Sequence, residues 1–152
     1  MTSVHPTCLV DTNLLVYAVD PRDAGKQRRA ITTLDNVHAR HIGVLSPQIL
    51  GEFFSAATRK LPSPLTPLEA ERLVADYIAS WPVLDLTATI VQRALRGLRR
   101  YQFSYWDALV WATACENGLS FVLSEDFNDG AMLEGVRFLN PFNQNFDLER
   151  LQ

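Results

Sequence analysis

Apolar residues fall along this chain in short blocks, and the spacing within each block indicates which element it forms. Residues 7–10 make a run that reads as a short buried strand ending at Asp11, and residues 13–19 (NLLVYAV) read as one or two apolar helical turns. Residues 25–39 are polar with Ile31 and Leu34 at helical spacing, and residues 41–45 predict a second strand closing at Ser46-Pro47. Serine followed by proline is a helix start, and over residues 47–59 Ile49, Phe53, Ala56 and Ala57 share one face with Glu52 at its border. Pro62, Pro64 and Pro67 break the chain. Thr66-Pro67-Leu68-Glu69 then reads as a capping box opening a helix to about Ser80. Residues 82–86 (PVLDL) predict a third strand, and residues 87–100 a helix. Residues 104–117 predict another helix, which stops at Gly118. Residues 121–123 predict a fourth strand and residues 136–139 a fifth, before a polar tail.

Short strands alternating with helices indicate an α/β domain with a mainly parallel sheet of four to five strands, occupying residues 1–152 as one unit. In such folds ligands gather at the carboxyl ends of the strands, where Asp11 and Asp126 fall. No apolar run approaches the roughly 18 residues of a membrane span. Residues 1–10 have no basic segment ahead of an apolar block, so a secretory signal is not expected and the cytoplasm is the expected location. Cys8 and Cys115 have apolar neighbours and read as buried thiols, and His5, His38 and His41 share no periodicity that would suggest zinc. The net charge of -3 argues against nonspecific coating of nucleic acid. Setting aside four clustered acids leaves 13 acids against 14 bases, a surface that tolerates RNA.

Asp11 ends a buried strand, where Thr12 and Asn13 follow as residues suited to hold it in place. Glu52 has Gly51, Phe53 and Phe54 as neighbours rather than a solvated face. Asp107 lies on a helix that Trp106, Ala108, Leu109, Val110, Trp111, Ala112, Ala114 and Cys115 make apolar almost all round, which predicts burial. Ser104 to Asp107 is also a capping box, so the carboxylate faces the positive end of the helix dipole. Ser124, Glu125, Asp126, Asp129 and Gly130 lie in a loop after a strand, and one of its acids facing the other three would complete a cluster. Converging carboxylates call for a hard cation, Mg²⁺ or Mn²⁺, which in turn supports hydrolysis of a phosphodiester.

With those four positions side by side, the sequence resembles the PIN-domain family and, within it, the VapC toxins of bacterial toxin-antitoxin pairs. The resemblance is carried by residues 9–17 (LVDTNLLVY), 48–53 (QILGEF), 104–109 (SYWDAL) and 123–127 (LSEDF), in that order and spacing. It implies a Rossmann-like sandwich, Mg²⁺ or Mn²⁺ held by Asp11, Glu52, Asp107 and Asp126, and endonucleolytic cutting of structured RNA of the tRNA or rRNA class. It also implies a VapB-like antitoxin and a homodimer. The family's Ser/Thr-x-Asp pattern selects Asp126 through Ser124, with Asp129 near enough to assist or replace it. Arg93, Arg96, Arg99 and Arg100 on one helix, leading to Tyr101, Phe103 and Tyr105, suit RNA contacts, and a solvated helix face explains the arginines equally well.

Other readings fare worse. An aspartyl phosphatase needs a second Asp where Asn13 stands, and a receiver domain needs a late lysine, whereas the chain has only Lys26 and Lys60. A housekeeping PIN nuclease without an antitoxin and an inactive RNA- or protein-binding PIN domain stay open as alternatives.

Overall fold

The structure, a computed structural model, describes residues 5–151. Residues 1–4 and 152 lie outside it, so the reading of residues 1–10 as lacking a secretory signal falls partly beyond the described residues. Five strands form one sheet: β1 (Cys8–Val10), β2 (Gly43–Val44), β3 (Phe121–Leu123), β4 (Met132–Leu133) and β5 (Val136–Leu139). Six helices accompany it: α1 (Thr12–Ala18), α2 (Ala24–Ala39), α3 (Pro47–Arg59), α4 (Pro67–Ser80), α5 (Ala88–Tyr101) and α6 (Tyr105–Glu116). The strand order is β2-β1-β3-β5-β4, with every pairing parallel except that of β4 with β5. This is the α/β, mainly parallel architecture expected from the alternation of elements.

Helix starts follow local chemistry. Ser46 caps α3 ahead of Pro47, Thr66 and Glu69 form a reciprocal capping box on α4, and Ser104 Oγ accepts from the Asp107 N–H at 3.2 Å. α6 buries residues 108–114 continuously, and Trp111 packs its indole against α5. Gly97 makes that crossing possible, because a Cβ there would collide with the Trp111 ring. Cys8 is buried and Cys115 half-buried, both as free thiols. No helix among the described residues is long and apolar enough to cross a membrane.

Three local features differ from the pattern-based expectation. The strand predicted over residues 82–86 shrinks to one parallel bridge, Val83 with Leu45. The Leu45 N–H donates to the Pro82 carbonyl at 3.0 Å and the Leu84 N–H to the Leu45 carbonyl at 2.9 Å. The ladder ends there because Ser46 turns the partner chain into α3, and Pro82 has no N–H to extend it the other way. β4 was not foreseen. It forms a hairpin with β5 through Glu134 (φ 49°) and Gly135 (φ 86°), a two-residue turn of the positive-φ kind without the usual Asn-Gly or Asp-Gly signature. The polar tail ends in a 3-10 turn (Leu148–Leu151) that buries Leu151 and accepts a hydrogen bond from Thr7 Oγ1 at 3.1 Å.

Candidate active site

β1 lies between β2 and β3, so the chain leaves β1 on one side and returns on the other. That reversal opens a crevice beyond the carboxyl ends of β1 and β3. Asp11 stands at this point, its N–H extending the ladder to the Leu123 carbonyl at 2.9 Å. Its side chain is 4% exposed. Oδ1 accepts from the Thr12 N–H at 2.8 Å, and Oδ2 from Ser124 Oγ at 2.6 Å. Ser124 Oγ in turn accepts from Asn13 Nδ2 at 3.0 Å and from the Asp126 N–H at 3.1 Å, while Asn13 Nδ2 also reaches Asp126 Oδ2 at 3.2 Å. Thr12, Asn13 and Ser124 thus tie the first carboxylate to the fourth.

Glu52 enters from α3. Its Oε2 accepts from Thr12 Oγ1 at 2.8 Å and its Oε1 from Gln48 Nε2 at 2.8 Å. Gln48 Nε2 gives its second hydrogen to the Trp106 carbonyl at 3.0 Å, joining α3 to the first turn of α6, where Asp107 sits. Both neighbours of this amide are acceptors, so its nitrogen must face them. In the sequence reading Gln48 appears only as the first residue of the QILGEF segment and has no role at the site. The signal was available, since it lies one helical turn before Glu52.

The charges of Glu52 and Asp126 act on both Asp11 and Asp107. Burial pushes the Asp11 carboxyl up from 3.8 to about 7; the Ser124 and Thr12 hydrogen bonds oppose this, and the charges of Asp126 and Glu52 add to it. Asp107 is also raised, first by burial and then by Asp126 and Glu52, with Ser104 opposing. Among the described residues none of the four is ion-paired with a Lys or Arg.

The donor set is all oxygen and heavily anionic, as Mg²⁺ or Mn²⁺ prefers, and two buried amide oxygens in the same lattice, Asn13 Oδ1 and Gln48 Oε1, have no partner. These residues fit a hard divalent cation. No group of three His, Cys, Asp or Glu side chains among the described residues is already drawn together tightly enough to hold an ion.

Asp129 is used elsewhere, accepting from the Asn140 N–H at 2.9 Å and from Asn143 Nδ2 at 2.7 Å. The arginines of α5 do not line the acid cleft. Arg93 pairs with Glu116 and Glu134, and with Arg96, Arg99, Arg100 and Trp111 it lines a separate cavity of ≈ 360 Å³. Tyr101 and Phe103 pack on Trp111, so they belong to the core. Trp106 departs from the expected buried helix, being 59% exposed. It lines a cleft of ≈ 550 Å³ with Thr12, Asn13, Glu52, Lys60 and Asp126. At another wall Tyr17 Oη donates to Glu125 Oε1 at 2.6 Å and Lys26 Nζ to Glu125 Oε2 at 2.9 Å, fastening the loop that carries Asp126 to α1 and α2.

Comparison with known proteins agrees with this geometry. No curated protein matches the chain. Among solved structures it is similar to a toxin-antitoxin complex from Klebsiella pneumoniae, with TM-score 0.65 and 20% identity over 89% of this chain and 98% of that one. It is also similar to Mycobacterium tuberculosis VapC20, a sarcin-ricin loop cleaving toxin, with TM-score 0.59 and 20% identity over 76% and 87%. A third similar structure is DNA-bound VapBC from Salmonella typhimurium, with TM-score 0.64 and 17% identity over 90% and 98%. At these identities the likeness establishes the fold. The model of the PIN domain matches residues 8–128, a span running from β1 and Asp11 through Glu52 and Asp107 to Asp126, and the chain belongs to the PIN-domain family.

Proposed function

We propose that this protein is an endoribonuclease dependent on Mg²⁺ or Mn²⁺, that it cuts structured RNA of the tRNA or rRNA class, and that it acts in the cytoplasm as the toxin of a toxin-antitoxin pair. The observation that carries the hydrolytic reading is the buried, uncompensated Asp11 at the head of a lattice joining it to Asp126 and, through Thr12, to Glu52. A charge so placed destabilises the fold unless a ligand offsets it, which marks Asp11 as a candidate functional group. RNA as substrate and toxin as role rest on family membership and on the toxins and toxin-antitoxin complexes among the similar structures.

Asp11, Glu52, Asp107 and Asp126 would hold the cation, which when bound lowers the pKa of a water and offsets charge on the phosphodiester. The chain's own residues supply the positioning. Ser124 and Asn13 fix the Asp11 and Asp126 carboxylates relative to each other, Thr12 and Gln48 fix both oxygens of Glu52, and Ser104 holds the turn that presents Asp107.

A VapB-like antitoxin and a second copy of the chain are the proposed protein partners. The apolar groove of ≈ 460 Å³ between α3 and α4, lined by Leu50, Phe54, Val74, Ile78 and Val83, is available surface for such contacts. Purified protein is expected to cleave structured RNA with Mg²⁺ or Mn²⁺, and to stop with chelator or with Asp11→Asn. Undiminished cleavage by Asp11→Asn would sink the mechanism. Harmless expression of an active nuclease would remove the toxin role and leave the enzyme.

A further inference from the structure

The three tryptophans are treated very differently by the fold. Trp81 is 8% exposed and Trp111 1%, whereas Trp106 is 59% exposed although it immediately precedes Asp107. Its place is held from two sides. Its carbonyl accepts from Gln48, the residue that also holds Glu52, and the Tyr105 ring meets its own edge-on at a centroid distance of 5.0 Å and 72°. The indole therefore borders the acid cleft on a braced first helical turn, with a large part of its surface open to solvent.

The chemistry around it narrows the occupant. The cleft is lined by four acids, Asp20, Glu52, Glu125 and Asp126, and by Lys60 and Arg22; Asp20 is paired with Arg22 and Glu125 with Lys26, which leaves Glu52 and Asp126 facing Lys60. Arg22 is engaged by both oxygens of Asp20, while no ion pair among the described residues engages Lys60. A basic peptide would meet these cations. A chain of phosphates carrying flat, uncharged faces suits them, provided a metal neutralises the acids. A duplex presents bases already covered by their neighbours, whereas an unpaired base has a free face for an aromatic side chain.

We propose, building on the nuclease reading, that Trp106 is a stacking platform for an unpaired base beside the cleaved linkage, and that Lys60 takes a neighbouring phosphate. Trp106 thereby selects single-stranded loops within structured RNA.

The test uses the wild-type protein with Ca²⁺, a hard cation that takes the same oxygen ligands and activates water less than Mg²⁺, a short single-stranded RNA of mixed sequence, and the corresponding blunt duplex. Because Trp81 and Trp111 are buried, quenching of tryptophan emission by RNA reports on Trp106. Saturable quenching is expected with the single strand and much less with the duplex. Trp106→Leu is expected to abolish the quenching and weaken binding about 5- to 100-fold, the loss of one stacked base, while Trp106→Phe retains most of the affinity. Lys60→Ala is expected to reduce the salt slope of log Kd by about 0.7, one phosphate contact on a single strand. Removing an exposed side chain leaves the fold intact, which unchanged thermal melting will show. Equal affinity of Trp106→Leu for the single strand overturns this inference alone, including the case where that variant instead loses a co-purifying protein. No RNA binding by any variant overturns the nuclease reading together with it.

Discussion

Asp11→Asn separates stability from function, because the same burial that suits Asp11 to a cation destabilises it in a cation's absence. In the metal-free protein the Asp11 carboxyl titrates at about 7, against 3.8 for an ordinary aspartate. Between those two values the folded state keeps a proton that the unfolded chain has released, so stability falls as pH rises, and it levels off above about 7. At ~1.4 kcal/mol per pH unit the loss amounts to about 4 kcal/mol at pH 8. Asparagine removes the charge but keeps the shape. The favourable Ser124 bond to the ionised form is already contained in the value of about 7, so asparagine gives up only a neutral hydrogen bond, worth about 0.5–1.5 kcal/mol. The net gain expected for Asp11→Asn in EDTA at pH 8 is therefore about 3 kcal/mol, or a rise of ~6–12 °C in Tm for a chain of this size.

Urea denaturation of both proteins in EDTA, followed from pH 4 to pH 8, measures this directly. The advantage of Asp11→Asn should shrink steadily below pH 7 and vanish or reverse near pH 4, where the wild-type side chain is protonated in both states. Adding Mg²⁺ should stabilise the wild type more than the variant, by linkage to binding. An Asp11→Asn protein no more stable than wild type at pH 8, or a difference that does not change with pH, would refute the claim that this carboxylate is held at a cost.

Gly97→Ala places a methyl group against the Trp111 indole at the α5–α6 crossing and should destabilise the fold by about 1–3 kcal/mol. Gly51→Ala meets nothing within 4 Å and should stabilise α3 by about 0.5–1 kcal/mol, so chemical denaturation of the pair isolates the steric contribution. Gln48→Leu removes the donor shared by Glu52 and the Trp106 carbonyl, and it also removes a buried amide oxygen that has no partner. These effects on stability oppose each other and should leave it within about 1 kcal/mol. Mg²⁺ affinity followed by thermal shift should fall ~10- to 100-fold, and an unchanged affinity would show that Gln48 does not position Glu52.

The parts of the fold that were legible in the sequence are those whose physics is local. Ser46-Pro47, the Thr66–Glu69 box and Ser104 each mark a helix start within four residues, the apolar period of α3 identifies its buried face, and the nearly uniform apolarity of α6 marks it as buried over most of its length. Long-range geometry was hidden. Whether residues 82–86 make a strand depended on how long β2 would remain beside them, which no feature of PVLDL reveals. Likewise Trp106 was assigned to a buried helix because α6 is apolar all round, whereas on the first turn its side chain is exposed and borders the cleft. The Ser/Thr-x-Asp spacing favoured Asp126 but did not remove Asp129, which lies three residues further along the same loop. In the fold Asp129 binds Asn140 and Asn143, and only Asp126 shares Asn13 with Asp11.

The candidate site has no local version. Asn13 meets Ser124 across 111 positions of sequence, Thr12 meets Glu52 across 40, and Gln48 meets the Trp106 carbonyl across 58. Each link closes only when a different pair of elements has docked: β1 with β3, α1 with α3, and α3 with α6. Until the last of these links closes, at least one of the four acids is missing from the cluster, while the complete fold raises Asp11 and Asp107. On the proposed function, cation binding would be coupled to the last steps of tertiary assembly, and a cation held by the four acids together would stabilise the folded state over every partial one. The electrostatic strain stored by completing the fold is what such a cation would relieve.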